Sequence, residues 1–279
     1  MLQLKTGVLH HEAALQTAGK FSKKITKFGF MAIIAAASVF TACKKENADA
    51  PDGLKLNGSL AVKNPTAGGS PLTLTGSVGT VALSATGGIY TVSNYFVDQG
   101  IYTHPDSVYH RPNGVYYFRF SDNDNVIGAT STTPPSSPNQ WDLSFGGTAN
   151  AYLGKHSSVT LKAKDVAFAS VTLSDWSTAT TITPSGTSFG HDGFLSPGTP
   201  ATWSDPTPLT ITGWFNYYFD NHEVLPITNR TLLVSDDEDR VYALQITSVY
   251  ANSTPVDGVS GFPDNYSHVY FRYKYLGEL

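Results

Sequence analysis

From about residue 71 to the end, apolar and polar residues alternate in short runs with a period close to two, the repeat of a half-buried strand. The clearest runs are Leu72–Gly76, Val81–Ser84, Val115–Phe120, Ser158–Ala163, Arg240–Ile246 and Val269–Tyr275, rich in Val, Ile, Thr, Tyr and Phe. Turn-forming clusters separate them: Ser121–Asn125, Pro134–Pro138, Pro184–Gly186, Ser235–Asp239 and Asn252–Gly258. Strands punctuated this way predict an all-β domain, a single antiparallel sheet or a sandwich-like pair of layers. No run sustains the 3.6-residue period of an amphipathic helix, so one or two helical turns are expected at most, near residues 164–170. No fixed-period repeat is visible.

The amino-terminal pattern differs. Phe28–Ala42 is apolar, and Lys20, Lys23, Lys24 and Lys27 precede it. About 15 apolar residues fall short of the ~20 that a membrane-spanning helix needs. A basic segment, a short apolar segment and small residues before a cleavage point describe a secretory signal. Thr41-Ala42-Cys43 resembles a bacterial lipobox, in which cleavage precedes the cysteine and acyl chains are attached to it; a plain signal followed by an unmodified Cys43 is the alternative. The expected organisation is a lipoprotein signal peptide over residues 1–42, a polar Gly/Pro/Asn-containing tether over 43–70, and a β domain over 71–279.

Composition sharpens this. Cys43 is the single cysteine, so no disulfide is expected to staple the domain. The whole chain carries 18 Lys+Arg against 22 Asp+Glu, a net charge of −4. Removing residues 1–42 takes away five lysines and one glutamate, leaving 13 against 21 and a net charge of −8. An acidic body argues against nucleic acid, whose phosphates call for a basic face. Met1 and Met31 both lie in the removed segment, so His and Tyr remain as side chains suited to an iron ligand.

Catalytic signatures are missing. The chain contains no Gly-x-Ser-x-Gly elbow, His-Glu-x-x-His, phosphate loop or Gly-x-Gly-x-x-Gly fingerprint, and it is expected not to be an enzyme. A hydrolase built on scattered carboxylates is the weaker alternative, since such pairs are set by three-dimensional spacing. Ser235–Asp239 is rich in carboxylates but lacks the glycine and spaced ligands of a calcium loop, so it reads as a solvated hairpin tip. Trp141 and Trp214 each open an apolar run and read as core anchors. Asp142 reads as a partner for a turn or backbone group. The tyrosines at 217, 218, 242, 250, 270, 273 and 275 read as cross-strand partners.

Several blocks follow one another in order: Tyr116–Asp122, Gln140–Gly146, Gly213–Phe219, Leu225–Val234, Val241–Tyr250 and Tyr270–Tyr275. Beneath the lipobox they resemble the HmuY-type haem-binding lipoproteins of Bacteroidota over about residues 80–279. The match is carried by the Trp141-Asp-Leu-x-Phe block and by the Gly213-Trp stretch with its later Pro226, Asn229-Arg230 and Val234. That resemblance implies an all-β fold with projecting β fingers, which hold haem or a related porphyrin at one end of the sheet core. It also implies iron acquisition by a lipid-anchored protein of the outer membrane or cell surface, with transfer to an outer-membrane receptor, expected to be TonB-dependent.

Iron ligands in that family come from the loop before the Gly-Trp block and the stretch after it. Here those segments hold His191 and His222, the candidate axial pair, while Phe219 follows the block most closely and is a candidate haem contact. Two imidazole ligands would fill the iron's coordination, suiting capture and hand-over rather than oxygen chemistry. Arg230 could reach a propionate or tie down a loop. His104 and His110 form an alternative pair. A second function class stays open: a glycan-binding or adhesion lipoprotein, using exposed aromatic rings and Thr/Ser/Asn-rich loops on the same scaffold.

Overall fold

The alternation seen in the sequence becomes fifteen short strands in a computed structural model that describes residues 63–99, 114–126, 135, 141–183, 189–195, 213–258, 261 and 263–279. Residues 1–42, expected from sequence to be a signal peptide, lie outside the described residues, as do Cys43, His104 and His110. In chain order the strands are β1 (Leu72–Thr73), β2 (Thr80–Leu83), β3 (Ile89–Tyr95), β4 (Tyr116–Arg119), β5 (Asp124–Asn125), β6 (Leu143–Gly146), β7 (Tyr152–Lys155) and β8 (Thr160–Asp165). They continue as β9 (Thr180–Ile182), β10 (Gly190–Leu195), β11 (Gly213–Tyr218), β12 (Val224–Pro226), β13 (Arg230–Ser235), β14 (Arg240–Ser248) and β15 (Val269–Glu278). The fold is all-β.

Eight strands form one antiparallel sheet in the order β1-β2-β3-β15-β14-β13-β8-β9, and four form a second in the order β5-β4-β6-β7. A third sheet, β10-β11-β12, contains a pair that departs from the antiparallel expectation, because β10 runs parallel to β11. An isolated pairing of Leu153 with Phe189 connects β7 to the residue just before β10, so the two smaller sheets continue into each other.

Inward-facing rings of the four-stranded sheet meet those of the large sheet. Phe118 packs edge-on against Phe271 at 5.0 Å, Phe145 stacks on Phe271 at 5.4 Å, and Phe120 stacks on Tyr242 at 5.2 Å. Period-2 strands explain this: Tyr116 and Phe118 share one face of β4, across from Phe145 and Leu143 of β6, and Phe120 follows just past the strand. Several buried phenols are hydrogen-bonded, as an apolar interior favours, whereas the Tyr242 hydroxyl is buried without a hydrogen-bond partner among the described residues. Tyr95 donates to the Tyr117 carbonyl at 3.0 Å, and the Tyr250 oxygen accepts the Val224 N–H at 2.7 Å. The described residues contain no sulfur, because Met1, Met31 and Cys43 all precede residue 63.

Residues 166–179 cover part of the opposite face of the large sheet, where Phe168 and Val171 pack on Leu233, Val241 and Ala243. The only helical turn in that segment runs from Leu173 to Ser177, later than expected from sequence. Asp175 closes it by accepting the Thr172 N–H, whereas residues up to Asp165 remain in β8 because Leu161 and Ala163 bury against the core. Residues 63–70, assigned by sequence to the tether, are bonded to the domain: Lys63 N–H donates to Asp122 O and Gly68 N–H to Leu83 O, each at 2.9 Å.

Candidate functional site

The β11 segment, Gly213-Trp-Phe-Asn-Tyr-Tyr218, organises the third sheet. Trp214 is buried and its indole N–H donates to the Ala151 carbonyl at 2.6 Å, which fixes the start of β7 against β11. Phe215 and Tyr217 share the alternate face of the strand. Glycine is needed where β10 meets this framework. A Cβ on Gly190 would run into the Tyr152 ring, and one on Gly213 would run into the backbone of Gly190 and His191.

That close approach brings Tyr152 to His191. The phenol oxygen lies 2.6 Å from His191 Nδ1, and the two rings meet edge-on with centroids 5.9 Å apart. Phe215, directly across from His191 in the register, packs on both rings, at 5.7 Å from Tyr152 and 6.4 Å from His191. A second pair repeats the arrangement at the other end of β11. Tyr217 Oη lies 2.5 Å from His222 Nδ1, and their rings are 5.9 Å apart. His222 occupies the turn between β11 and β12 with φ of 56°, a left-handed conformation that histidine adopts more readily than bulkier or branched residues. Phe219 stands next to this pair, its ring 5.8 Å from Tyr217 and 56 % exposed.

The result is an aromatic strip that grades from buried Phe215 through four half-buried Tyr and His side chains to exposed Phe219. Burial lowers the pKa of His191, with the Asp192 carboxylate opposing, and so favours the neutral imidazole that binds metals. Burial raises both phenols, Tyr217 further through its proximity to Tyr152, so both remain protonated at neutral pH. The strip therefore offers donors of the type that haem iron accepts, set beside apolar rings. In each pair the phenol engages Nδ1 of the imidazole.

Arg230 supports the strip from behind. Its buried guanidinium bonds Asp165 through Nε at 2.7 Å and Nη2 at 3.1 Å, and reaches Asp192 through Nη1 at 2.7 Å. Nη1 also donates to the Gly213 carbonyl at 2.8 Å, and Asp192 accepts the Gly213 N–H at 3.2 Å. Of the two roles open to Arg230 in the sequence, tying down neighbouring segments describes these contacts. It joins β8, β10, β11 and β13.

Other sequence candidates separate in space. Trp214 is the core anchor expected of it, while Trp141 is half-buried, set edge-on to Tyr117 and His156. Asp142 accepts the Phe120 N–H at 2.7 Å, and its burial pushes the carboxyl up to about 7. Ser235–Asp239 does turn between β13 and β14, but Asp236 is buried rather than solvated, accepting from Arg240 Nε at 2.6 Å. Among the described residues no three His, Cys, Asp or Glu side chains converge to hold a metal ion. Tyr152 and Asp192 were not singled out by the sequence. Tyr152 lies 39 residues from His191, with no local pattern to mark the contact.

No family model matches this chain. No curated protein matches it either. A crystal structure of a "putative lipoprotein" from Bacteroides fragilis is similar at 15 % identity, covering 68 % of this chain and 91 % of that one with a TM-score of 0.34. Similarity at that level transfers neither fold nor function.

Proposed function

We propose that this is a lipid-anchored binding protein that captures haem on the β10–β12 sheet outside the cytoplasm and hands it to an outer-membrane receptor, without catalysing a reaction on it. The observation that carries the reading is the pair of Tyr–His contacts on one strip, next to the exposed Phe219. His191 and His222, named from the order of the sequence blocks, are both in that strip. Haem, when bound, would supply an iron centre open to imidazole ligation. This chain's part is to present imidazoles, apolar ring surface at Phe215 and Phe219, and a sheet held in register by Arg230. The lipobox-like Thr41-Ala42-Cys43 supports the anchored half of the proposal.

Titrating haemin into residues 44–279 tests the binding. A Soret shift that saturates, and is diminished in His191→Ala and His222→Ala, is expected; no shift, or one that both variants leave intact, rules the reading out. For the anchor, Cys43→Ser is expected to move the protein from the detergent phase to the aqueous phase on phase partitioning and to abolish incorporation of labelled fatty acid.

A further inference from the structure

We propose a buried water-binding site beside the β13–β14 turn, where an internal water bridges the Tyr242 hydroxyl and Arg240 Nη2. The two side chains come from β14 two residues apart, so both share its inward face. They are 2 % and 3 % exposed, yet neither atom has a hydrogen-bond partner among the described residues. Comparable groups nearby are paired. Tyr95, Tyr116, Tyr250 and Tyr273, equally deep phenols, all make a hydrogen bond. The rest of the Arg240 guanidinium is committed as well: Nε donates to Asp236 at 2.6 Å and Nη1 reaches Glu238 at 2.8 Å.

Both groups are held in place. Asp236 accepts the Glu238 and Arg240 backbone N–H groups at 3.0 Å each, which fixes the carboxylate that grips Nε. The Tyr242 ring stacks on Phe120, whose N–H is bonded to Asp142. Turning either group toward solvent would break these contacts. Unpaired buried donors are unfavourable, and proteins commonly satisfy them with an internal water that makes about three hydrogen bonds.

The chemistry of the walls selects the guest. A guanidinium N–H only donates, whereas a phenol donates and accepts. Burial raises the Tyr242 phenol, the Arg240 charge opposes that rise, and Asp236 and Asp142 add to it, so all three charged groups act on this hydroxyl. Carboxyl groups beside the donors disfavour an anion, and the guanidinium disfavours a cation. A small neutral molecule that accepts from Nη2–H and completes a bond with the phenol fits, and water meets both needs. It would persist whether or not the β10–β12 strip takes haem.

Two measurements test the site. A crystal structure of the wild-type protein is expected to show one spherical density peak within about 3.2 Å of both Tyr242 Oη and Arg240 Nη2. No peak there, or one that reaches only one of the two atoms, would overturn the proposal. Urea denaturation of Tyr242→Phe reads the same site by the sign of its effect. Losing a water-bridged hydroxyl should raise the unfolding equilibrium constant by about 2- to 10-fold. A hydroxyl with nothing to bond gives the opposite sign, because phenylalanine then removes only a buried polar group. An unchanged or smaller unfolding constant in Tyr242→Phe would therefore overturn the bridging water.

Discussion

Replacing Arg230 by methionine keeps much of the side-chain volume and removes the cation that joins β8, β10, β11 and β13. Three interactions are lost, and they do not weigh equally. The Asp165 carboxylate is 43 % exposed, so water replaces most of what the arginine gave it. Asp192 is 6 % exposed and Arg230 2 %, so that pair lies in the interior and the remaining carboxylate has little water to turn to. Breaking a buried pair by removing one partner costs about 3–5 kcal/mol. The unsatisfied Gly213 carbonyl, with a typical penalty of about 1–3 kcal/mol, forms part of that figure rather than an addition to it. At about 4 kcal/mol, and 2–4 °C per kcal/mol for a domain of this size, the melting temperature should fall by roughly 8–16 °C.

Urea denaturation of wild type, Arg230→Met, Asp192→Asn and the double variant measures this directly. Asp192→Asn in the Arg230→Met background should restore part of the loss, because it removes the uncompensated charge. Arg230→Lys should rescue poorly, since an ammonium cannot bridge Asp165 in a fork while also reaching Asp192 and Gly213. A loss below about 1 kcal/mol for Arg230→Met, the level of an exposed ion pair, would refute the reasoning.

Two other outcomes follow from buried contacts. Burial raises the Asp142 carboxyl to about 7, with Asp236 and Asp237 adding to the rise and the Phe120 N–H and Arg119 opposing it. The folded protein thus holds a proton that the unfolded chain releases near pH 4, so stability should decline from about pH 4 to about pH 7 by a few kcal/mol and level off above. Asp142→Asn, which retains an oxygen for the Phe120 N–H, should flatten that decline in denaturation curves recorded across the range. Gly190→Ala should destabilise by about 1–3 kcal/mol through overpacking against Tyr152. In thermal melts, combining it with Tyr152→Ala should remove the steric part of the cost.

Local pattern made most of the architecture legible. The runs at Arg240–Ile246 and Val269–Tyr275 became the central pair β14 and β15, and Ser235–Asp239 became the turn before them, because alternation and turn chemistry act over a few residues. The parallel β10–β11 pair escaped because such strands are joined by a long connection, and no short-range signal marks which strand lies alongside which. His191 and His222 could be named from the order of blocks, but their partners divide differently. Tyr217 is five residues from His222, within a hairpin, and was already recognised as a strand residue. Tyr152 reaches His191 only after Trp214, Gly190 and Phe189 have brought β7 against β10. Arg230 was visible as a candidate, yet its destination depended on Asp165 and Asp192, two unremarked acids in separate strands.

Described residues that contain neither methionine nor cysteine change how the domain ages. Peroxide converts methionine to a polar sulfoxide, a lesion that swells and loosens packed cores. Between residues 63 and 279 there is no such weak point. The β layers should therefore keep their melting behaviour after exposure to hydrogen peroxide at doses that soften methionine-bearing domains.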